Sequence, residues 1–357
     1  MSSHNSSKST RIHRRNALRL LGGTGAAVAM PAILTQVTAQ GLDKFSYQTN
    51  WRAQAEHGGF YLAKATGLFQ KAGIDIDLKP GGPQQNPSQL LLGGAVDCVM
   101  SNSFEAMNYV KEKLPFLCIA SYFQKDPQVI ISHPGVGHDS LEALKGKPIL
   151  VGAGGRTSYW PFLKARFGYA EEQARPYTFN MAPFIADKNM SQQGFVTSEP
   201  FAIEKESGIK PVVHLIADAG FDNYNTTANI SQKLVDTKKD VIQRFINASL
   251  QGWAEYMKNG DGTKAANELI KKANPEATDA NIAGGIELMK KLNIVDSGEA
   301  LTNGIGAMNQ ARVKDFYDKM VKAGLYKAGD VDLSKVITTQ FVNKKVGMDV
   351  KAKAGVK

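Results

Sequence analysis

The sequence predicts an α/β protein of two lobes, each a largely parallel sheet with helices on its faces. Strand-like apolar runs alternate with amphipathic helical runs from Lys44 onward, the alternation restarts near Gln128, and no Pro/Gly/Ser-rich linker separates the two series. Parallel neighbours need a crossover between them, so repeated βα units imply sheets covered by helices. Without a tether, the lobes are expected to be joined by extended crossover strands near Lys125–His133 and Val213–Phe221, with a ligand cleft between them.

In the first series "KFSYQTN" reads as a strand and Gly58–Ala72 as a helix, because Tyr61, Ala65, Leu68 and Ala72 share one helical face and Gly73 suits a C-cap. "IDIDLKP" alternates as a strand does, and "NPSQLLLGGA" reads as a short helix with Pro87 in its first turn. "VDCVMSN", "SFEAMNYVKEKL" and "PFLCIASYF" continue as strand, helix and strand. The second series runs through "QVIISHPG", "ILVGA", the helix of "GGRTSYWPFLKARFG", a short helix near Ile185–Met190, and the strands "GFVTS" and "KPVVHLIA". Residues 236–326 read as almost entirely helical. Ile242, Ile246, Leu250, Trp253 and Met257 form one stripe, with Asp236 as the expected N-cap.

The first forty residues stand apart from the fold. Arg14 and Arg15 are adjacent, a weakly apolar stretch runs from Leu20 to about Leu34, and Val37-Thr38-Ala39 offers small residues for cleavage. Residues 1–39 therefore resemble a twin-arginine export signal cut after about Ala39, which predicts a periplasmic protein. A membrane anchor is the alternative, disfavoured by the glycines, Pro31 and the shortness of the stretch. Lys8, Arg11, Arg14, Arg15 and Arg19 lie in this segment with no acid, so half of the net charge of +10 leaves with it. A nucleic-acid partner is accordingly not expected. "KKVGMDVKAKAGVK" has no apolar period, and 346–357 is expected to be a flexible basic tail. Cys98 and Cys118 each sit in a buried-strand run. Pairing is open to them, but unpaired buried thiols are expected. No CxxC, HExxH or histidine cluster occurs, so neither a metal site nor a cofactor is expected.

Chemistry is expected in the turns that follow strands, where helix N–H groups point outward. Gly58 and Gly59 either admit a ligand to such a backbone, beside Trp51 and His57, or form a tight turn over them. "GGPQQN" offers Gln84, Gln85 and Asn86 to a ligand or forms a type II turn. Ser101 and Asn102 start the next helix, as caps or ligand contacts. "GAGGRTSYW" is neither GxGxxG nor a Walker loop; it reads as a fair anion- or amide-binding turn, with Arg156 facing an acid or solvent. Glu199 either accepts paired hydrogen bonds from an amidine-like ligand or caps the helix beginning at Phe201.

"NWRAQAEHGGFYLAKATGLFQKAGIDIDL", "GGPQQN", "SLEALKGKPILVG", "GFVTSEPFAIEKESG" and "VKDFYDKMVKAGLY" together resemble the periplasmic solute-binding proteins of ABC importers. The branch is that of thiamine-pyrimidine-precursor binders and fungal pyrimidine synthases, and the resemblance spans about 44–345. It implies a type II periplasmic-binding-protein fold with a helical C-terminal region, one lobe from 42–127 and 222–345, the other from 128–221. It implies a cleft lined by Trp51, His57, Gly58, Gly59, Ser101 and Asn102 from the first lobe. Gly155, Arg156, Thr157, Ser158, Thr197, Ser198 and Glu199 would face them, with Tyr224 and Asn225 just past the return crossover. The implied role is non-enzymatic: a monomer that carries a small planar nitrogen heterocycle to an inner-membrane permease. The alternative ligand is an anion, a sulfonate or aromatic carboxylate, held by Arg156 and helix N-termini. The fungal synthases are iron-dependent enzymes that consume their own histidine through a cysteine-rich motif. That motif is missing here, which places an enzyme below a binder.

Overall fold

The structure, a computed structural model, describes residues 41–350. The expected export signal and residues 351–357 of the expected tail lie outside the described residues. Among the described residues, ten strands form two mixed five-stranded sheets. The first sheet has the order β2-β1-β3-β10-β4, from β1 (Asp43–Gln48), β2 (Ile74–Lys79), β3 (Cys98–Asn102), β4 (Phe116–Phe123) and β10 (Asn225–Ser231). The second has the order β7-β6-β8-β5-β9, from β5 (Gln128–Ser132), β6 (Ile149–Val151), β7 (Ala174–Pro176), β8 (Ser191–Phe195) and β9 (Val212–Leu215).

The sheets share one plan. β1, β2 and β3 run parallel, as do β6, β7 and β8, while β10 and β5 are antiparallel to both of their neighbours. Each of those two antiparallel strands is the first strand after the chain passes between the sheets, at 124–127 and at 216–224. β10 is a strand that the sequence reading did not single out, lying before the stretch 236–326 expected to be helical. Its "NTTANIS" is polar and shows no clear alternation, yet every residue from Asn225 to Ile230 is buried because the strand lies between two others. Cys98 and Cys118 are free buried thiols in β3 and β4, with β10 between those strands.

Strand alternation sorts the core. In β6, Ile149 and Val151 face the main cluster and Leu150 faces the smaller cluster on the other side of the second sheet, with Val129 and Ile131 of β5. Phe221, on the return passage, packs against Phe104 of the first half and Phe162 of the second, with ring centroids 5.4 and 5.3 Å away.

The expected helix over Gly58–Ala72 is broken. A 3₁₀ turn at Ala55–His57 leads into a helix at Gly58–Ala65, and Gly67, at φ +72°, separates it from a short helix at Leu68–Lys71. The Ile242-to-Met257 stripe is buried in a helix spanning Lys239–Met257. Its N-cap is Lys238, and Asp236 belongs to a preceding helix, Gln232–Thr237. The strand expected at "GFVTS" begins three residues earlier, at Ser191. Residues 344–350 are packed rather than frayed. Ile305 N–H donates to Val346 O at 2.8 Å and Val350 is buried. Two valines with no period are enough to anchor a segment when a ready hydrophobic surface lies beside it. Among the described residues, no helix is long and apolar enough to cross a membrane.

Candidate functional site

The parallel strands end at one cleft. The turn after β1 brings Asn50, Trp51 and Gln54, the loop after β2 brings Gln85, Asn86 and Ser88, and the end of β3 brings Met100, Ser101 and Asn102. From the other sheet come Gly154, Gly155, Thr157, Ser158 and Tyr159 after β6, and Gln193, Gly194, Phe195 and Glu199 around the end of β8. Asp126 and Phe221 join from the two passages, with Gln128 and Asn225 at the starts of β5 and β10. The cleft is narrow, with a cavity volume of about 90 Å³.

The lips of the cleft touch. Ala153 N–H donates to Pro83 O at 2.9 Å, and Gln84 Nε2 donates to Tyr177 O at 3.2 Å. The buried Thr197 hydroxyl donates to the Glu56 carboxylate from across the cleft, and Ser198 Oγ donates to Gln54 Oε1 at 3.4 Å. Trp51 borders the cleft but gives one face of its indole to Tyr177, at a centroid distance of 5.7 Å and 16° between planes.

Of the residues expected to bind ligand, Trp51, Ser101, Asn102, Gly155, Thr157, Ser158, Glu199 and Asn225 share this cleft. Thr197 and Ser198 line an adjoining hollow that meets it at Gln54 and Glu199. The remaining five lie elsewhere. A Cβ on Gly58 would fall 2.0 Å from the Tyr256 ring, and one on Gly59 2.2 Å from the Trp253 ring. The bare backbone admits the helix Lys239–Met257, not a ligand. His57 is buried behind the cleft. Its Nδ1 accepts from Gln54 N–H at 3.3 Å, which places the proton on Nε2, 3.3 Å from Asn50 Oδ1. Burial lowers the His57 pKa to about 3, so the ring is neutral. Tyr224 lies outside the lining: its hydroxyl accepts from Asn309 N–H at 2.8 Å and the Arg312 guanidinium sits 4.3 Å over its ring. Arg156 turns outward, donating to Ala174 O at 2.8 Å and pairing with Glu171 at 3.4 Å. Arg156→Gln is therefore expected to change ligand affinity and stability by no more than about 0.5 kcal/mol, measured by titration calorimetry and thermal melting; a tenfold loss of affinity would place the guanidinium in the site.

Charge is the site's clearest feature. Glu105, Asp126 and Glu199 all line the cleft and all are buried, and none of the described lining residues is Lys, Arg or His. Burial raises the Glu199 pKa to about 7, opposed by the Phe195 N–H, which donates at 2.8 Å, and reinforced by Glu56. Burial likewise raises Asp126 to about 6, against hydrogen bonds from Gln128 N–H at 2.9 Å and Asn223 Nδ2 at 2.6 Å. Glu105 is shifted upward by burial too, with Thr157, Ser88 and Asn108 opposing. A cavity of this kind favours a partner that brings positive charge or N–H donors.

Sequence reasoning missed Asn50, Glu105, Asp126, Gln128, Tyr159 and Gln193 among the lining residues. One signal was available: "SQQGF" places two adjacent glutamines inside a strand, where a buried amide must have a partner or a use. Asp126 lies in a passage between sheets and Glu105 inside a helix, positions that no local pattern distinguishes.

Two α/β sheets of one plan, with a cleft at their strand ends, define the periplasmic-binding-protein fold. Residues 54–262 match the family described as NMT1/THI5 like, and the chain belongs to it. It is 23% identical to the formylaminopyrimidine-binding protein of Halalkalibacterium halodurans over 65% of this chain and 71% of that one. It is also 23% identical to the riboflavin-binding protein RibY of Chloroflexus aurantiacus, over 89% and 90%. The periplasmic aliphatic sulphonate binding protein SsuA of Escherichia coli superposes with a TM-score of 0.58 at 14% identity, over 84% of this chain and 93% of that one, a likeness of fold.

Proposed function

We propose that the protein is an exported solute-binding protein of an ABC import system, and that its cleft captures a small planar nitrogen heterocycle of the aminopyrimidine kind. The observation that carries this reading is the balance of the wall: three buried carboxylates and no cation. A sulfonate or aromatic carboxylate would meet like charge on desolvated carboxyls, with Arg156 turned away to Glu171. Trp51 borders the cleft as a flat apolar wall, and the relative that binds a formylaminopyrimidine supports the same ligand class. In this reading 42–127 with 222–345 form one lobe and 128–221 the other. Ligand contacts to both hold them together, and the closed monomer then docks on an inner-membrane permease.

An enzymatic reading fits less well. Chemistry at His57 needs access to a ring that is 1% exposed and held between Gln54 and Asn50 behind the wall.

The test is a thermal-shift panel of aminopyrimidines, sulfonates and aromatic carboxylates. An aminopyrimidine at a hundredfold excess over its dissociation constant is expected to add about 2.7 kcal/mol of stability and to be recovered unchanged. Stabilisation by a sulfonate, with the aminopyrimidines inert, overturns the proposal.

A further inference from the structure

Most amides in a binding cleft can turn either way, offering an oxygen or an NH₂ group to a ligand. Gln193 cannot. Its Oε1 accepts from Gly152 N–H at 2.6 Å and from the Tyr159 hydroxyl at 2.8 Å. Both donors belong to the segment that follows β6, and Tyr159 is buried, so the oxygen is held from one side by two fixed groups. Turning the amide would set an NH₂ group against the Gly152 N–H and lose that bond, while the Tyr159 hydroxyl would only exchange donating for accepting. The two N–H groups of Nε2 have no protein partner among the described residues, and Gln193 lies on the cleft wall.

The neighbouring group is an acceptor. Glu199 lies against the backbone of the next residue: a Cβ on Gly194 would fall 3.2 Å from Glu199 Oε2. That oxygen is steadied by Phe195 N–H at 2.8 Å. The Gly194 Cβ direction is that of Val129 and Ile131, opposite to the Gln193 side chain, so the fixed donor and the carboxylate line the cleft from opposite faces of β8.

We infer that Gln193 is a specificity-determining residue, whose Nε2 donates to a ring-nitrogen acceptor of the ligand. This deepens the reading proposed above and rests on it. Gln193 selects a ring that carries an unprotonated nitrogen. An aromatic amine of the same outline with no ring nitrogen leaves the Gln193 N–H groups without an acceptor when it fills the cleft. Tyr159 and Gly152 are positioning groups that act through Gln193.

Two probes of one shape isolate this contribution: 4-amino-2-methylpyrimidine, and 3-methylaniline, which replaces both ring nitrogens by CH. Affinities are measured by titration calorimetry at mildly alkaline pH, where both probes are neutral. The native protein is expected to prefer the pyrimidine by roughly tenfold or more. Gln193→Glu retains an oxygen for Gly152 and Tyr159 and removes the N–H donors; Gln193→Met removes the donors without adding charge. Both variants are expected to bind the two probes within about threefold of each other. A variant that keeps the full native preference overturns the role of Gln193, as does a native protein that does not discriminate. Binding of neither probe to the native protein overturns the heterocycle reading itself. Circular dichroism and melting verify folding, and if Gln193→Met does not fold, Gln193→Glu alone decides.

Discussion

Alanine in place of Gly59 lowers the stability of the folded protein by roughly 3 kcal/mol or more. The new methyl group would sit 2.2 Å from Trp253 Cγ, far inside van der Waals contact. The indole has no room to retreat. Trp253 is fully buried, with Phe123 edge-on at 5.3 Å and Phe60 edge-on at 5.8 Å. From the other helix, a Cβ on Gly252 would fall 2.2 Å from Gly59 O, so the two backbones meet glycine to glycine. Gly82→Ala is the control, since nothing lies within 4 Å of the added Cβ. Urea unfolding of the three proteins measures the effect, and ligand affinity per folded molecule is expected to stay unchanged in both variants. A Gly59→Ala protein of native stability that had lost its ligand would return this glycine to the binding site.

The second large effect is expected at Glu199 and depends on pH. Its folded pKa of about 7 lies above the ordinary 4.5, and burial is the main cause. The folded state therefore holds the proton more tightly than the unfolded state does. The contribution is complete below the ordinary carboxyl pKa and is lost as pH rises through about 7, a swing of up to about 3 kcal/mol. Asp126, raised from 3.8 to about 6, acts with the same sign in a lower window. The ligand-free protein is thus expected to melt higher in mild acid than in mild alkali. Glu199→Gln flattens that slope and raises the melting temperature on the alkaline side. The same substitution weakens aminopyrimidine binding by roughly 2 kcal/mol, some thirtyfold, because the amide brings a donor where the ligand needs an acceptor. Melting curves across pH, with and without ligand, measure both halves. Parallel pH curves for the native protein and the variant would show that this carboxyl is not desolvated in the free protein.

Legibility followed locality. Strands such as "IDIDLKP" and the stripe from Ile242 to Met257 carry their own periods, and those periods appear as β2 and as a buried helix face. β10 carries no clear period because both of its edges and both of its faces are covered by other parts of the chain. The glycine pair at 58–59 marked an unusual spot, but nothing nearby in sequence shows whether a ligand or Trp253, nearly two hundred positions on, occupies the space. Arg156 was legible as a charge and not as a direction. Its partners Glu171 and Ala174 lie beyond an intervening helix, Tyr159–Phe167.

The amino-acid sequence by itself determined the α/β class, the two series of βα units and the placing of chemistry in the turns after strands, because each follows from residues within a few positions of one another. Tertiary structure alone decided which side chains meet. It gathered Glu105, Asp126, Gln193 and Glu199 from three separate segments into one cleft and turned Arg156 away from it. The reason is physical: charge balance and hydrogen-bond direction in a buried site are set by neighbours in space, and these neighbours are brought together only when both sheets have formed.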